Sequence, residues 1–145
     1  MTIWLTGSGC SGLTVETIYL VNTPNGSIYS PGYPNNYDDN ENCTWHFFAP
    51  FGSKVLLYFT TFELEDVSAC IHDSVELLDG RDNSSPRLSK SCGTSLPSPV
   101  YSSGRYMYIQ FKSDYSNTKK GFVAHYRERT DSSGAFFKQW TVEPL

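Results

Sequence analysis

The feature that most restricts the fold of this chain is the alternation of apolar and polar residues in short segments. Residues 54–64 give the strongest strand signal, with Val55, Leu57 and Phe59 on one face of an extended chain and Leu56 and Tyr58 on the other. A period of two is typical of a β-strand that is buried on one face, and no apolar stripe of helical period and length occurs. Further strand-like segments are 14–21, 27–30, 43–49, 73–79, 101–112 and 121–126. The pattern predicts an all-β protein.

Turn-forming residues separate these segments. The 145 residues include 11 Gly and 8 Pro, and the aromatic share is 15%. Many short strands divided by turns are typical of a β-sandwich or barrel, and aromatic side chains suit half-buried strands. The length fits a single domain with a core of its own.

The charge pattern argues against a nucleic-acid partner. The formal net charge is −4, and Lys119 and Lys120 form the only adjacent pair of basic residues. Binding to phosphate backbones requires clustered Lys and Arg side chains. We therefore expect no nucleic acid among the ligands.

Four cysteines indicate an oxidising compartment. Cys10, Cys43, Cys70 and Cys92 contain no CxxC pair, so their spacing does not fit a zinc ribbon or a thioredoxin-like site. Two disulfides are the simpler interpretation, and the spacing alone leaves three pairings open.

Other signals agree with an extracellular or secreted glycoprotein. N-x-S/T sequons at Asn25, Asn42 and Asn83 predict glycosylation. No apolar stretch approaches the roughly 20 residues of a membrane span.

Residues 1–9 lack the basic start of a signal peptide and are interpreted as a leader or an expression remnant, so we expect any signal peptide to lie outside this sequence. Residues 129–145 are interpreted as a linker and C-terminal tail.

Several motifs in one order resemble the CUB domain family. The resemblance covers about residues 10–127, and we assign residues 10–128 to the domain. The matching motifs are Gly26–Tyr37 (GSIYSPGYPNNY), Cys43-Thr44-Trp45, Phe62–Glu65, Cys70–Asp73, Asp79-Gly80, Cys92-Gly93, Phe111–Asp114 and Gly121-Phe122. The resemblance implies a compact antiparallel, jelly-roll-like β-sandwich. It also implies the disulfides Cys10–Cys43 and Cys70–Cys92.

Carboxylates collect at predicted strand ends. Glu65 and Asp66 follow one strand, Asp73 begins another and Asp114 ends a third. Antiparallel strands can bring these ends to one edge, where the carboxylates would repel one another unless a cation neutralises them. Calcium, which takes 6–8 oxygen ligands, suits such a set.

The family resemblance makes this prediction more specific. In calcium-binding CUB domains the ligands are a Glu, an Asp eight residues later and the Asp of a Ser-Asp pair, which match Glu65, Asp73 and Asp114. Oxygens of residues just after the last Asp, here Ser116 and Asn117, also contribute. A Tyr in the opening motif supports the Glu through a hydrogen bond, and it matches Tyr37.

The resemblance also implies a mode of partner binding. Carboxylate oxygens of Glu65 and Asp114 that calcium leaves free would accept hydrogen bonds from a partner's Lys or Arg. Tyr115 either adds contact to that partner or packs within its own loop. His72, which stands where the family usually has Tyr, either replaces that ring or weakens the site when protonated near pH 6.

Two other classes of function remain as alternatives. Catalysis is not expected, because the chain has no G-x-S-x-G, H-E-x-x-H or Gly-rich phosphate motif, although such a domain can form part of a larger protease or receptor. The alternative to calcium-dependent binding of an extracellular protein is a calcium-independent module, which binds a glycan or serves structure and self-assembly.

Overall fold

The computed structural model describes residues 15–130, and within them the chain forms nine strands and one short 3₁₀ turn, Ser68–Cys70. The prediction of an all-β fold is confirmed. No helix within this range is long and apolar enough to cross a membrane. The strands are β1 Val15–Tyr19, β2 Asn25–Tyr29, β3 Asn42–Phe48, β4 Ser53–Glu63, β5 Ser74–Leu78, β6 Arg87–Ser91, β7 Val100–Tyr101, β8 Tyr106–Lys112 and β9 Gly121–Thr130.

The strands form two sheets that pack as a sandwich. One sheet has the order β1-β3-β8-β5-β6 and the other the order β2-β9-β4-β7. Neighbouring strands are antiparallel except β1 and β3, which are parallel and place Ile18 opposite Phe47. Apolar alternation determines the face on which a side chain lies but not the direction of the strand, which is why the sequence did not reveal this pair.

The core lies between the sheets and consists of the alternating residues. Val55 and Leu57 of β4 are fully buried, as are Ile109 and Phe111 of β8. Phe111 meets Phe122 of the opposite sheet edge-on, with ring centroids 5.5 Å apart. Offset and edge-to-face aromatic pairs of this kind add to the stabilisation from buried area.

Two strands carried no sequence signal. Strand β6 reads RLSKS and lies at the edge of its sheet, and β7 has only two residues. In addition, β9 continues to Thr130, two residues beyond the end at 128 that we assigned to the domain.

One predicted disulfide is present. Cys70 and Cys92 are bonded, with Cα atoms 5.5 Å apart and a sequence separation of 22. A loop of this length contributes about 3 kcal/mol on the chain-entropy model. Cys43 is buried in β3. Its predicted partner Cys10 lies outside the described residues, as do the predicted leader and most of the tail, so these remain predictions.

The strand pairing brings three chain segments to one end of the sandwich. The start of β5 is next to the end of β8, because Ser74 pairs with Lys112. The end of β4 is next to the start of β9, because Glu63 pairs with Gly121. The residues just outside these ends therefore meet at one rim.

Candidate metal centre

Asp73 lies at the bottom of this rim. Its side chain is fully buried just before β5, and both carboxylate oxygens are hydrogen-bonded. The backbone N–H of Asp114 donates to Oδ1 at 2.9 Å, and the Tyr37 hydroxyl donates to Oδ2 at 2.6 Å. Burial raises the pKa of Asp73, and the nearby carboxylates of Asp114 and Glu65 raise it further, against the effect of the two hydrogen bonds.

Tyr37 connects the hydrophobic core to the rim. Its ring is 1% exposed and meets Phe111 edge-on at 5.0 Å. Its hydroxyl oxygen also accepts the backbone N–H of Glu65 at 3.3 Å. Burial and the bond to Asp73 raise the pKa of Tyr37 well above its ordinary value, so the group remains a donor. Tyr37 therefore supports Glu65 through the backbone of Glu65, and its side-chain partner is Asp73.

Glu65 follows β4 and turns its carboxylate into the rim. The residue is 9% exposed. Its Oε2 accepts the side-chain amide of Asn117 at 3.0 Å and lies 3.3 Å from His72 Nδ1. Its Oε1 is buried and has no hydrogen-bond partner in the part of the chain that the structure describes. Such a carboxylate oxygen is costly, because burial removes the water that would otherwise solvate its charge.

Asp114 begins the loop that closes the site after β8. Its Oδ1 accepts the backbone N–H of Ser116 at 3.3 Å, so Ser116 is held through its main chain. Asn117 follows with φ of 63°, a left-handed conformation that Asn tolerates better than most residues. This conformation and the amide bond to Glu65 place Asn117 beside the rim.

The loop that follows Tyr37 is fastened to the same segment. Ser113 donates its hydroxyl to the carbonyl of Asp38 at 2.7 Å and accepts the N–H of Glu41 at 2.9 Å. The N–H of Asn40 donates to the carbonyl of Asp114 at 2.8 Å. These bonds hold the opening motif and the Asp114 loop together.

His72 also belongs to the rim. Its Nδ1 lies 3.3 Å from Glu65 Oε2 and 3.5 Å from Asp114 Oδ2. We call Glu65, His72, Asp73 and Asp114 the rim cluster. Among residues 15–130, no Lys or Arg forms a salt bridge with its carboxylates. The cluster thus concentrates the negative charge of its carboxylates, and His72 is the only basic side chain within salt-bridge distance of them in residues 15–130.

The donor chemistry of the rim cluster fits a divalent cation. Single ligand atoms of Glu65, His72 and Asp114 all lie within 4.8 Å of one another. Asp73 is adjacent, through its bond to the Asp114 backbone. Carboxylate and amide oxygens are the ligands that calcium prefers, and the unpartnered Oε1 of Glu65 is an acceptor that a cation would satisfy.

Tyr115, Asp38 and Asp39 lie in the loops next to the rim cluster. Tyr115 is 77% exposed, so its side chain does not pack within the loop. Asp38 and Asp39, which the sequence interpretation missed, border a groove beside the rim cluster; their position directly after the motif tyrosine Tyr37 is the signal that could have found them. The groove is lined by Asn36, Tyr37, Asp38, Asp39, Tyr115, Ser116, Asn117 and Thr118.

Asp66 and the three sequons lie outside the cluster. Asp66 is exposed, with its carboxylate close to Gly93. Asn25 and Asn83 are exposed. Asn42 is half-buried, and its side-chain oxygen accepts the amide of Gln110 at 3.2 Å. The three sequons thus lie on β2, on β3 and in the turn before β6, and their glycosylation stays a prediction.

Comparison with known proteins gives a consistent result. The family model described as the CUB domain matches residues 16–126. The zinc metalloproteinase nas-39 of Caenorhabditis elegans is 41% identical over 108 residues, which cover 74% of this chain and 12% of that protein. Because the chain spans so small a part of this relative, the activity in its name belongs to the larger protein.

Solved structures agree with the sequence matches. The full extracellular region of zebrafish Gpr126/Adgrg6 matches with 34% identity and a TM-score of 0.70, over 85% of this chain and 15% of that one. A crystal structure of the MASP-1 CUB2 domain bound to Ca²⁺ matches with 29% identity and a TM-score of 0.66, over 81% of this chain and 99% of that one.

Proposed function

The chain belongs to the CUB domain family, and we propose that it is an extracellular protein-binding module whose hold on a partner depends on calcium at the rim cluster. Modules of this family serve protein interaction. The single observation that carries the calcium requirement and the choice of a basic partner is the buried Oε1 of Glu65, which has no partner within residues 15–130 and lies near the carboxylates of Asp73 and Asp114.

Calcium would be held by oxygens that the fold already orders. Glu65, Asp73 and Asp114 would supply carboxylate oxygens, and Ser116 and Asn117 would supply main-chain or side-chain oxygens. The Ca²⁺-bound structure of a 29% identical CUB domain supports calcium as the ion. The bound ion would remove the repulsion between the carboxylates and fasten the Asp114 loop to the segment between β4 and β5.

The ordered rim would then present acceptors to a cationic side chain. A carboxylate offers about four lone-pair positions, so Glu65 and Asp114 can bind calcium and still accept from a Lys or Arg. Tyr115 would cover the aliphatic stem of that side chain, since it is exposed at the same loop. Asp38 and Asp39 add negative charge along the neighbouring groove, which favours a partner with more than one basic residue.

The test uses a sensor surface that carries a short peptide with one lysine, with an alanine peptide as the reference. The 145-residue chain should bind the lysine peptide in millimolar calcium and lose that binding in EDTA. Asp114→Ala should abolish binding. Asp66→Ala, which removes the same charge from an exposed position outside the cluster, should retain it. Binding that EDTA leaves unchanged would contradict the proposal and favour the calcium-independent alternative.

A further inference from the structure

The position of His72 sets this rim apart from a site made of oxygens alone. The imidazole Nδ1 points between two carboxylates, 3.3 Å from Glu65 Oε2 and 3.5 Å from Asp114 Oδ2. Calcium is a hard cation that takes oxygen ligands and makes little use of imidazole. Zinc and similar transition metals bind imidazole nitrogen and carboxylate oxygen together.

The spacing of these atoms suits a small tetrahedral ion. Zinc binds N and O ligands at about 2.0–2.2 Å, which places neighbouring ligand atoms roughly 3.3–3.5 Å apart. The two separations from His72 Nδ1, 3.3 and 3.5 Å, are of this size. The three ligand atoms lie within 4.8 Å of one another, so closing the third edge requires a small side-chain adjustment.

A second observation points to a cation at this position. Glu65 is 9% exposed, and its Oε1 has no hydrogen-bond partner within residues 15–130. Its Oε2 is already shared by His72 and Asn117. A buried carboxylate with one unsatisfied oxygen is stabilised by a cation whichever of its oxygens binds the ion.

We propose that the rim cluster also binds a divalent transition metal of the zinc type, with His72 Nδ1, Glu65 and Asp114 as its protein ligands. The inference rests on the proposed function only in that both ions use Glu65 and Asp114. The fourth position remains open to water.

Competition with calcium follows from the shared ligands. An ion held by His72, Glu65 and Asp114 uses carboxylates that calcium needs, so the two ions exclude each other. Zinc would therefore displace calcium from the rim.

The test is calorimetry of the 145-residue chain with Zn²⁺ alone, together with the absorption spectrum of bound Co²⁺. The wild type should bind one Zn²⁺ and give the intense visible bands of tetrahedral Co²⁺. His72→Tyr keeps an aromatic ring without the nitrogen; it should bind Zn²⁺ at least about tenfold more weakly and lose those bands. Glu65→Gln should also weaken Zn²⁺ binding. His125→Gln is the matched control, because that histidine is held by Ser27 and Thr60 away from the cluster.

The outcomes separate the two proposals. Zn²⁺ binding that is equal in wild type and His72→Tyr, or unaffected by Glu65→Gln, would overturn the transition-metal site. His72→Tyr should keep calcium affinity within about threefold of the wild type, since calcium does not use the imidazole. Zn²⁺ binding in a chain that fails to bind calcium would contradict the proposed function and support the transition-metal site.

Discussion

The Tyr37 hydroxyl donates a 2.6 Å hydrogen bond to Asp73 Oδ2, and through this bond a buried core residue orients a carboxylate of the rim. Asp73 is in turn bonded to the backbone of Asp114. The loop that follows β8 is therefore positioned by a residue of the hydrophobic core. A ligand set held in this way needs little reorganisation when an ion binds.

Tyr37→Phe tests that connection. The change removes one hydroxyl and leaves Asp73 Oδ2 and the N–H of Glu65 without their partner. We expect the free energy of unfolding in EDTA to fall by about 1–3 kcal/mol, the cost of an unsatisfied buried group, and calcium affinity to fall as well. Urea unfolding and calorimetry measure the two effects. Tyr115→Phe removes an exposed hydroxyl and should leave stability unchanged; equal stability of Tyr37→Phe and wild type would contradict the role of the bond.

Asn117 allows backbone and side-chain contributions to be separated. Gly accepts the left-handed conformation at this position, whereas Ala resists it by about 1–2 kcal/mol. Both Asn117→Gly and Asn117→Ala remove the amide that contacts Glu65. We expect both to weaken calcium binding by a similar factor, and only the Ala variant to lose about 1 kcal/mol or more of stability in EDTA. Calcium affinity that both variants retain would exclude the side chain of Asn117 from the ligand set.

The disulfide between Cys70 and Cys92 should support both the fold and the site. Cys70 lies three residues before Asp73, so the bond restrains the segment that carries His72 and Asp73. Replacing both cysteines by Ser should reduce the free energy of unfolding by about 3 kcal/mol and weaken calcium binding. Chemical denaturation with and without calcium checks both effects. An unchanged denaturation midpoint would show that the bond contributes little.

The sequence predicted most of the sandwich because its strands bury one face. Val55 and Leu57 lie on one face of β4, and Ile109 and Phe111 lie on one face of β8; each of them is in the core. Strand β6 was not predicted, because an edge strand with polar residues shows no such periodic pattern. The parallel pairing of β1 with β3 was not predicted, because the alternation of side chains is independent of strand direction.

The site was predictable to the level of segments but not of atoms. Strand ends placed Glu65, Asp73 and Asp114 at one edge, and the structure brings them together there. The partners of Tyr37 and the approach of His72 to two carboxylates depend on side-chain rotamers and burial. No pattern along the chain encodes these, because the contacting residues are 7 to 42 positions apart.

Calcium titration by calorimetry, comparing wild type with Glu65→Gln, tests the central claim most directly. The account predicts one calcium per wild-type chain, with a dissociation constant on the order of 10⁻³ M or tighter, as is usual for extracellular modules. Glu65→Gln should bind at least about tenfold more weakly, because it loses the charge of a ligand, and Asp66→Asn should match the wild type. A wild-type chain that takes up no calcium at millimolar concentration, or a Glu65→Gln variant with wild-type affinity, would contradict the account.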